Sequence, residues 1–160
     1  MTGIARREVL LAAFAGPIVL AQGVGPAEPN ELPDFDGTPI QRIRNGEDMS
    51  ETESEHLIKI DLPAEIRMAE PFKATFSLPN HPLTGPHHVT WLRVFVGRQM
   101  ITYVTFAPLW QHPEVTFTLE LTKGHRIEAV AACNRHGLWG AAVPITIIEP
   151  EAQPAPAPVE

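Results

Sequence analysis

A chain of 160 residues, 44% of them hydrophobic, has enough material for one domain with a buried core. Its 19 acidic against 12 basic residues leave a formal charge of −7, which excludes the basic surface that nucleic-acid binding needs. One cysteine excludes an internal disulfide, and 17 prolines favour short strands and irregular ends over long helices.

Residues 1–21 read as an export signal. Arg6 and Arg7 precede an apolar run from Val9 to Leu20 that ends at the small Ala21, and the run is short for a bilayer span. The arginine pair followed by Glu8, Val9 and Leu10 resembles a twin-arginine signal, which implies export after folding and a periplasmic or otherwise external destination. Cleavage there removes two basic residues and one acidic residue, taking the formal charge from −7 to −8 and leaving no membrane span in the mature chain.

Residues 22–55 form an acidic lead expected to be extended. Residues 56–149 form the body, an all-β domain read as an immunoglobulin-like antiparallel β-sandwich of about seven strands. Strands are expected near Leu57–Asp61, Phe72–Leu78, His88–Val96, Ile101–Phe106, Val115–Leu121, Arg126–Ala132 and Ala142–Ile148. The run "VTFTLEL" alternates, so Val115, Phe117, Leu119 and Leu121 should face the core while Thr116, Thr118 and Glu120 face solvent. Residues 150–160 alternate proline and alanine and are expected to be a solvated tail.

Chemistry concentrates in two stretches of the body. "HPLTGPHH" places His81, His87 and His88 within eight residues. Pro82 restricts the backbone of His81, and the neighbours His87 and His88 should take opposite faces at a strand entrance. "CNRHGLW" sets Cys133 three residues before His136, and Gly137 permits a tight turn after them. In an oxidising compartment a single cysteine is an inert buried thiol, half of an intermolecular bridge, or a metal ligand. Imidazoles with a thiolate suit iron, copper or zinc rather than magnesium or calcium.

Together with His56, these stretches resemble the iron centre of superoxide reductases, the neelaredoxin and desulfoferrodoxin family. The shared pattern is an early histidine, His-Pro with a second histidine six positions on, and a closing Cys-Asn-x-His-Gly-Leu-Trp; the likeness runs from His56 to Ile148. The resemblance implies a mononuclear iron cycling between Fe2+ and Fe3+, with His56, His81, His87 and His136 in a plane, Cys133 on the axis and the opposite position open. It further implies one-electron reduction of superoxide to hydrogen peroxide, with electrons from an external donor such as a rubredoxin-like or other small redox protein. A homo-oligomer is compatible with this reading. On it His88 turns away from the metal, His112 and His125 are solvated, Leu138 and Trp139 pack beneath the site, and Asn134 offers its N–H to the cysteine sulfur.

The chain departs from the family pattern just before His56. Many members carry Glu-Lys there, whereas this chain has Ser54 and Glu55, with the nearest lysine at Lys59. Glu55 and Lys59 are therefore the candidate catalytic residues, with Glu55 or Glu53 closing the open position of the oxidised iron. Two other classes share part of the pattern. A blue-copper electron carrier also pairs an upstream histidine with a late cysteine and histidine, but it expects a following methionine where Ala141 and Ala142 stand. A non-catalytic partner module related to sulfur-oxidation carrier proteins resembles "IEAVAACNRHGLWGAAVPITI" but does not require the four histidines.

Overall fold

The structure, a computed structural model, describes Phe35, residues 37–43 and residues 48–149. The expected export signal and the Pro/Ala tail lie outside the described residues. Ten strands and one helical turn are present among the described residues: β1 Ile40–Gln41, α1 Glu51–Glu55, β2 Lys59–Asp61, β3 Ile66–Arg67, β4 Phe72–Ser77, β5 Val89–Val96, β6 Gln99–Thr105, β7 Glu114–Leu119, β8 Arg126–Cys133, β9 Gly137–Pro144 and β10 Ile147–Ile148. The protein is all-β, as its sequence implied.

A sheet in the order β1-β9-β8-β5-β6 packs over a second in the order β2-β4-β7, and β10 pairs with β3 beside them. The alternating run from Val115 explains one contact face. Val115, Phe117 and Leu119 pack against the core, which includes Phe76, Leu78, Leu92, Val94 and Ile127, and Leu121 is buried within it. On the outer face Thr116 hydrogen-bonds Thr75 at 2.8 Å, and Thr118 accepts from Lys73 at 2.9 Å, one strand across.

The central strand β8 does not alternate; Ile127 to Cys133 are all buried. Its inner face lies on the core, and its outer face is covered by the lead, where Phe35 and Ile40 pack with Phe95, Val130, Ala132 and Leu138. A strand covered on both sides reads as a continuous run of apolar and small residues, which "IEAVAAC" is apart from the buried Glu128.

The structure corrects four details. The lead is not wholly extended, because the helical turn α1 lies within it. The final strand begins at Gly137 rather than Ala142 and breaks before Ile147, since Cys133 and Gly137 pair directly across a tight turn. Three of the strands are only two residues long, too short to leave a periodic signal, which is why about seven were expected. The sandwich is also not purely antiparallel, since β1 runs parallel to β9 and β10 parallel to β3.

Candidate metal centre

Three connections meet at one end of the sandwich, and each carries part of the site. The first is α1. Ser50 caps it, accepting from the Glu53 N–H, while the Glu53 carboxylate takes the Ser50 N–H at 2.9 Å, a reciprocal box that sets the direction of the turn. His56 closes the helix, its N–H shared between the carbonyls of Thr52 and Glu53, and its ring Nδ1 donates to the Thr52 carbonyl at 2.6 Å. That bond places the proton on Nδ1 and leaves Nε2 with its lone pair facing inward. Glu53 is engaged by the cap, so its carboxylate serves the helix rather than an iron.

The β4–β5 loop supplies the second part. Thr84 and His87 exchange backbone bonds at 3.0 and 3.3 Å, reinforced by the Thr84 hydroxyl, and this clamp fixes His87 relative to His81. His81 Nδ1 donates to the Pro82 carbonyl at 2.9 Å, again leaving Nε2 free to accept. His88 takes the other direction, as expected of adjacent strand residues, and its Nδ1 sits 3.0 Å from the Gly85 carbonyl.

The third part is the β8–β9 turn. Gly137 adopts φ +78°, a conformation that side chains disfavour, and this lets Cys133 and His136 project to the same side. The Cys133 sulfur lies 3.9 Å from His136 Nδ1.

One potential donor atom from each of His56, His87, Cys133 and His136 lies within 4.8 Å of the others. His81 adjoins them, its ring centroid 4.8 Å from that of His56 and 4.7 Å from that of His87. Four of the five residues proposed from the sequence as ligands thus share one cluster of donor atoms, and the ring of the fifth, His81, borders it. Trp139 stacks on His56 at 4.6 Å and 20°, holding that ring from behind.

The donor set fits a transition metal. Nε2 of His56, His81 and His87 is buried without a hydrogen-bond partner, and such lone pairs are costly unless something accepts them. Burial lowers the pKa of His56, aided by repulsion from His136, and lowers that of His87 in the same way. His81 falls to about 4, mainly through burial. Neutral imidazoles beside the lone thiol are ready to bind a cation without first losing a proton, and this nitrogen and sulfur set disfavours magnesium and calcium.

The other candidates separate. Lys59 is exposed and pairs with Ser77, on the face of β2 opposite the buried Ile58 and Ile60. Glu55 is half-buried beside His56, and its charge acts on His56, His81 and His87, favouring their protonated forms. Arg135, exposed, opposes it at His87.

Asn134 does something other than expected. Its N–H donates to the His88 carbonyl at 3.1 Å, its Oδ1 accepts from the His88 N–H at 2.9 Å, and its Nδ2 reaches the Pro86 carbonyl at 3.2 Å. It ties the β4–β5 loop to the β8–β9 turn. The N–H directed at the Cys133 sulfur, at 3.4 Å, is that of Arg135. Sequence reasoning could not separate the two, because which amide turns toward the sulfur depends on the turn's dihedral angles.

Comparison with known proteins agrees with this geometry. The desulfoferrodoxin family profile matches residues 48–142. A candidate superoxide reductase of Thermotoga maritima is 26% identical over 115 residues, covering 59% of this chain and 88% of the relative. The neelaredoxin-type superoxide reductase of Ignicoccus hospitalis superposes with a TM-score of 0.62 at 31% identity, covering 72% of this chain and all of that one. A single-substitution variant of it gives 0.61 at 32%, covering 68% and 94%. Its sequence, its β-sandwich and the residues gathered at one end of that sandwich make this chain a member of the desulfoferrodoxin family.

Proposed function

We propose that the chain reduces superoxide to hydrogen peroxide at a mononuclear iron held by His56, His81, His87, His136 and Cys133. The observation that carries this reading is the convergence of three imidazoles, those of His56, His87 and His136, on the single thiol, with His81 packed against two of those rings and three buried Nε2 atoms lacking any hydrogen-bond partner. Iron held by these residues would supply the one electron that, with two protons, converts superoxide to hydrogen peroxide.

The protein's contribution is placement and field. Hydrogen bonds from Nδ1 to Thr52 and Pro82 carbonyls orient two imidazoles and raise their basicity. The Arg135 N–H donates to the thiolate and draws off part of its electron density. Arg135 favours and Glu55 opposes the approach of an anion, so local charge rather than net charge governs the encounter. In this reading Glu55, whose charge is felt by His56, His81 and His87, is the carboxylate that would close the site after oxidation. Lys59, on the outer face of its strand, contributes at most to the long-range field.

Each cycle consumes an electron, supplied in this reading by an external donor, a rubredoxin-like or other small redox protein. Export through the Arg6–Arg7 signal delivers the protein to the periplasm or beyond. Among the described residues no helix is long and apolar enough to cross a membrane. Replacing Arg6 and Arg7 with Lys should hold the precursor in the cytoplasm, as read by cell fractionation.

Metal analysis of protein from its native host, with the visible spectrum of the oxidised form, tests the centre. Stoichiometric iron with a thiolate charge-transfer band is expected, and the reduced protein should consume pulse-generated superoxide with about one peroxide per iron. Stoichiometric copper, or iron inert to superoxide, refutes the assignment.

A further inference from the structure

The described part of the lead crosses the outer face of the larger sheet, and its attachments lie on either side of one polar contact with the metal centre. Phe35 stacks on Trp91 at 6.2 Å and meets Phe95 edge-on at 5.9 Å. Ile40 lies flush on Gly140, where an added Cβ would come 2.8 Å from its Cγ2. Beyond Gln41, Arg42 pairs with the buried Glu128, whose second oxygen takes the Arg126 guanidinium at 2.9 Å.

Between these anchors Ile40 and Gln41 run parallel to β9, opposite Leu138 and Trp139. There Gln41 Nε2 donates to the carbonyl of His136 at 2.6 Å. The turn carrying Cys133 and His136 is therefore pinned from two sides, by Asn134 toward the β4–β5 loop and by Gln41 from the lead. This segment precedes residues 48–142, which the family profile matches.

We propose that Phe35 and residues 37–43 form a strap whose Gln41 is a positioning residue for the metal centre, holding the His136 backbone so that its imidazole is aimed before the metal arrives. Preorganising one ligand this way raises affinity by removing its freedom in the metal-free state. The inference rests on the metal-centre reading but does not depend on superoxide as the substrate.

The test uses the full metal-free chain and Co2+, with affinity measured by competition against a chromophoric chelator and geometry read from the cobalt–thiolate charge-transfer band. Gln41→Met keeps the side-chain volume and strand pairing but loses the donor; it should weaken Co2+ binding about fivefold and shift the band. Gln41→Lys retains a donor of similar reach and should stay within about twofold of wild type. Both variants should melt with the wild type when metal-free, because the apolar and Arg42–Glu128 anchors remain. Equal affinity for wild type and Gln41→Met overturns the proposal, and so does equal weakening in both variants, or a matching loss of metal-free stability. A wild-type chain that binds Co2+ without a thiolate band instead refutes the metal-centre reading itself, and the proposal with it.

Discussion

In the metal-free chain, burial holds His81 at about 4, whereas the unfolded chain titrates it near 6.5. Between those two values the unfolded state binds more protons, so acid favours unfolding. Above pH 6.5 the ring is neutral in both states and has no effect. The loss of stability grows as pH falls from 6.5 toward about 4 and levels off below it. The whole difference in proton affinity corresponds to at most about 3 kcal/mol. His81 is only 6% exposed in a loop between strands, and about 1–3 kcal/mol is expected. Urea unfolding of chelator-treated protein at steps from about pH 7.5 to about pH 4.5 measures it. His81→Gln removes the titrating group while keeping a polar side chain, and should flatten the profile by that amount. His56 and His87, whose shifts run the same way, supply the remaining slope. Parallel profiles for wild type and His81→Gln would show that this ring is not held neutral by burial.

Cys133→Ser or His136→Ala should reduce iron affinity by more than the roughly 10–100-fold typical of an outer partner, while His112→Ala, at an exposed loop position, leaves iron content unchanged by elemental analysis. Phe76→Ala should cost about 3–5 kcal/mol in denaturant unfolding, because the ring is fully buried between the sheets against Phe117. Glu55→Lys should speed the bimolecular reaction with superoxide at low ionic strength and make it slow on adding salt, with Glu55→Ala between it and wild type. Identical rates for all three in pulse radiolysis would remove Glu55 from the encounter.

Much of this protein was legible in its residues alone. Alternation in "VTFTLEL" places Val115, Phe117 and Leu119 toward the core because a strand's side chains must alternate, whatever it packs against. Adjacent His87 and His88 must diverge for the same reason. Metal ligation likewise demands particular side chains, so His56, "HPLTGPHH" and "CNRHGLW" could be assembled into one site without knowing how the chain turns between them.

Other features depend on neighbours distant in sequence, and only the tertiary structure decided them. The one-turn helix before His56 opens on a local Ser50–Glu53 box and is too short to leave a periodic signature, and that it delivers His56 against His81, His87 and His136 depends on the packing of the whole chain. Lys59 is three residues from His56 in sequence, yet the pleat of β2 turns it outward, while Glu55, one residue before His56, stays beside the imidazoles. The amide that meets the sulfur belongs to Arg135 rather than Asn134 because the turn closing on Gly137 sets which N–H points inward. Glu128 offers no clue in a run of apolar residues that its charge is met by Arg42 and Arg126, nor does the acidic lead announce that Gln41 will reach His136. Local pattern reports which face of an element is buried; which distant residues meet there depends on how the whole chain packs, and hydrogen bonds and ion pairs between segments form only once that packing has brought them within reach.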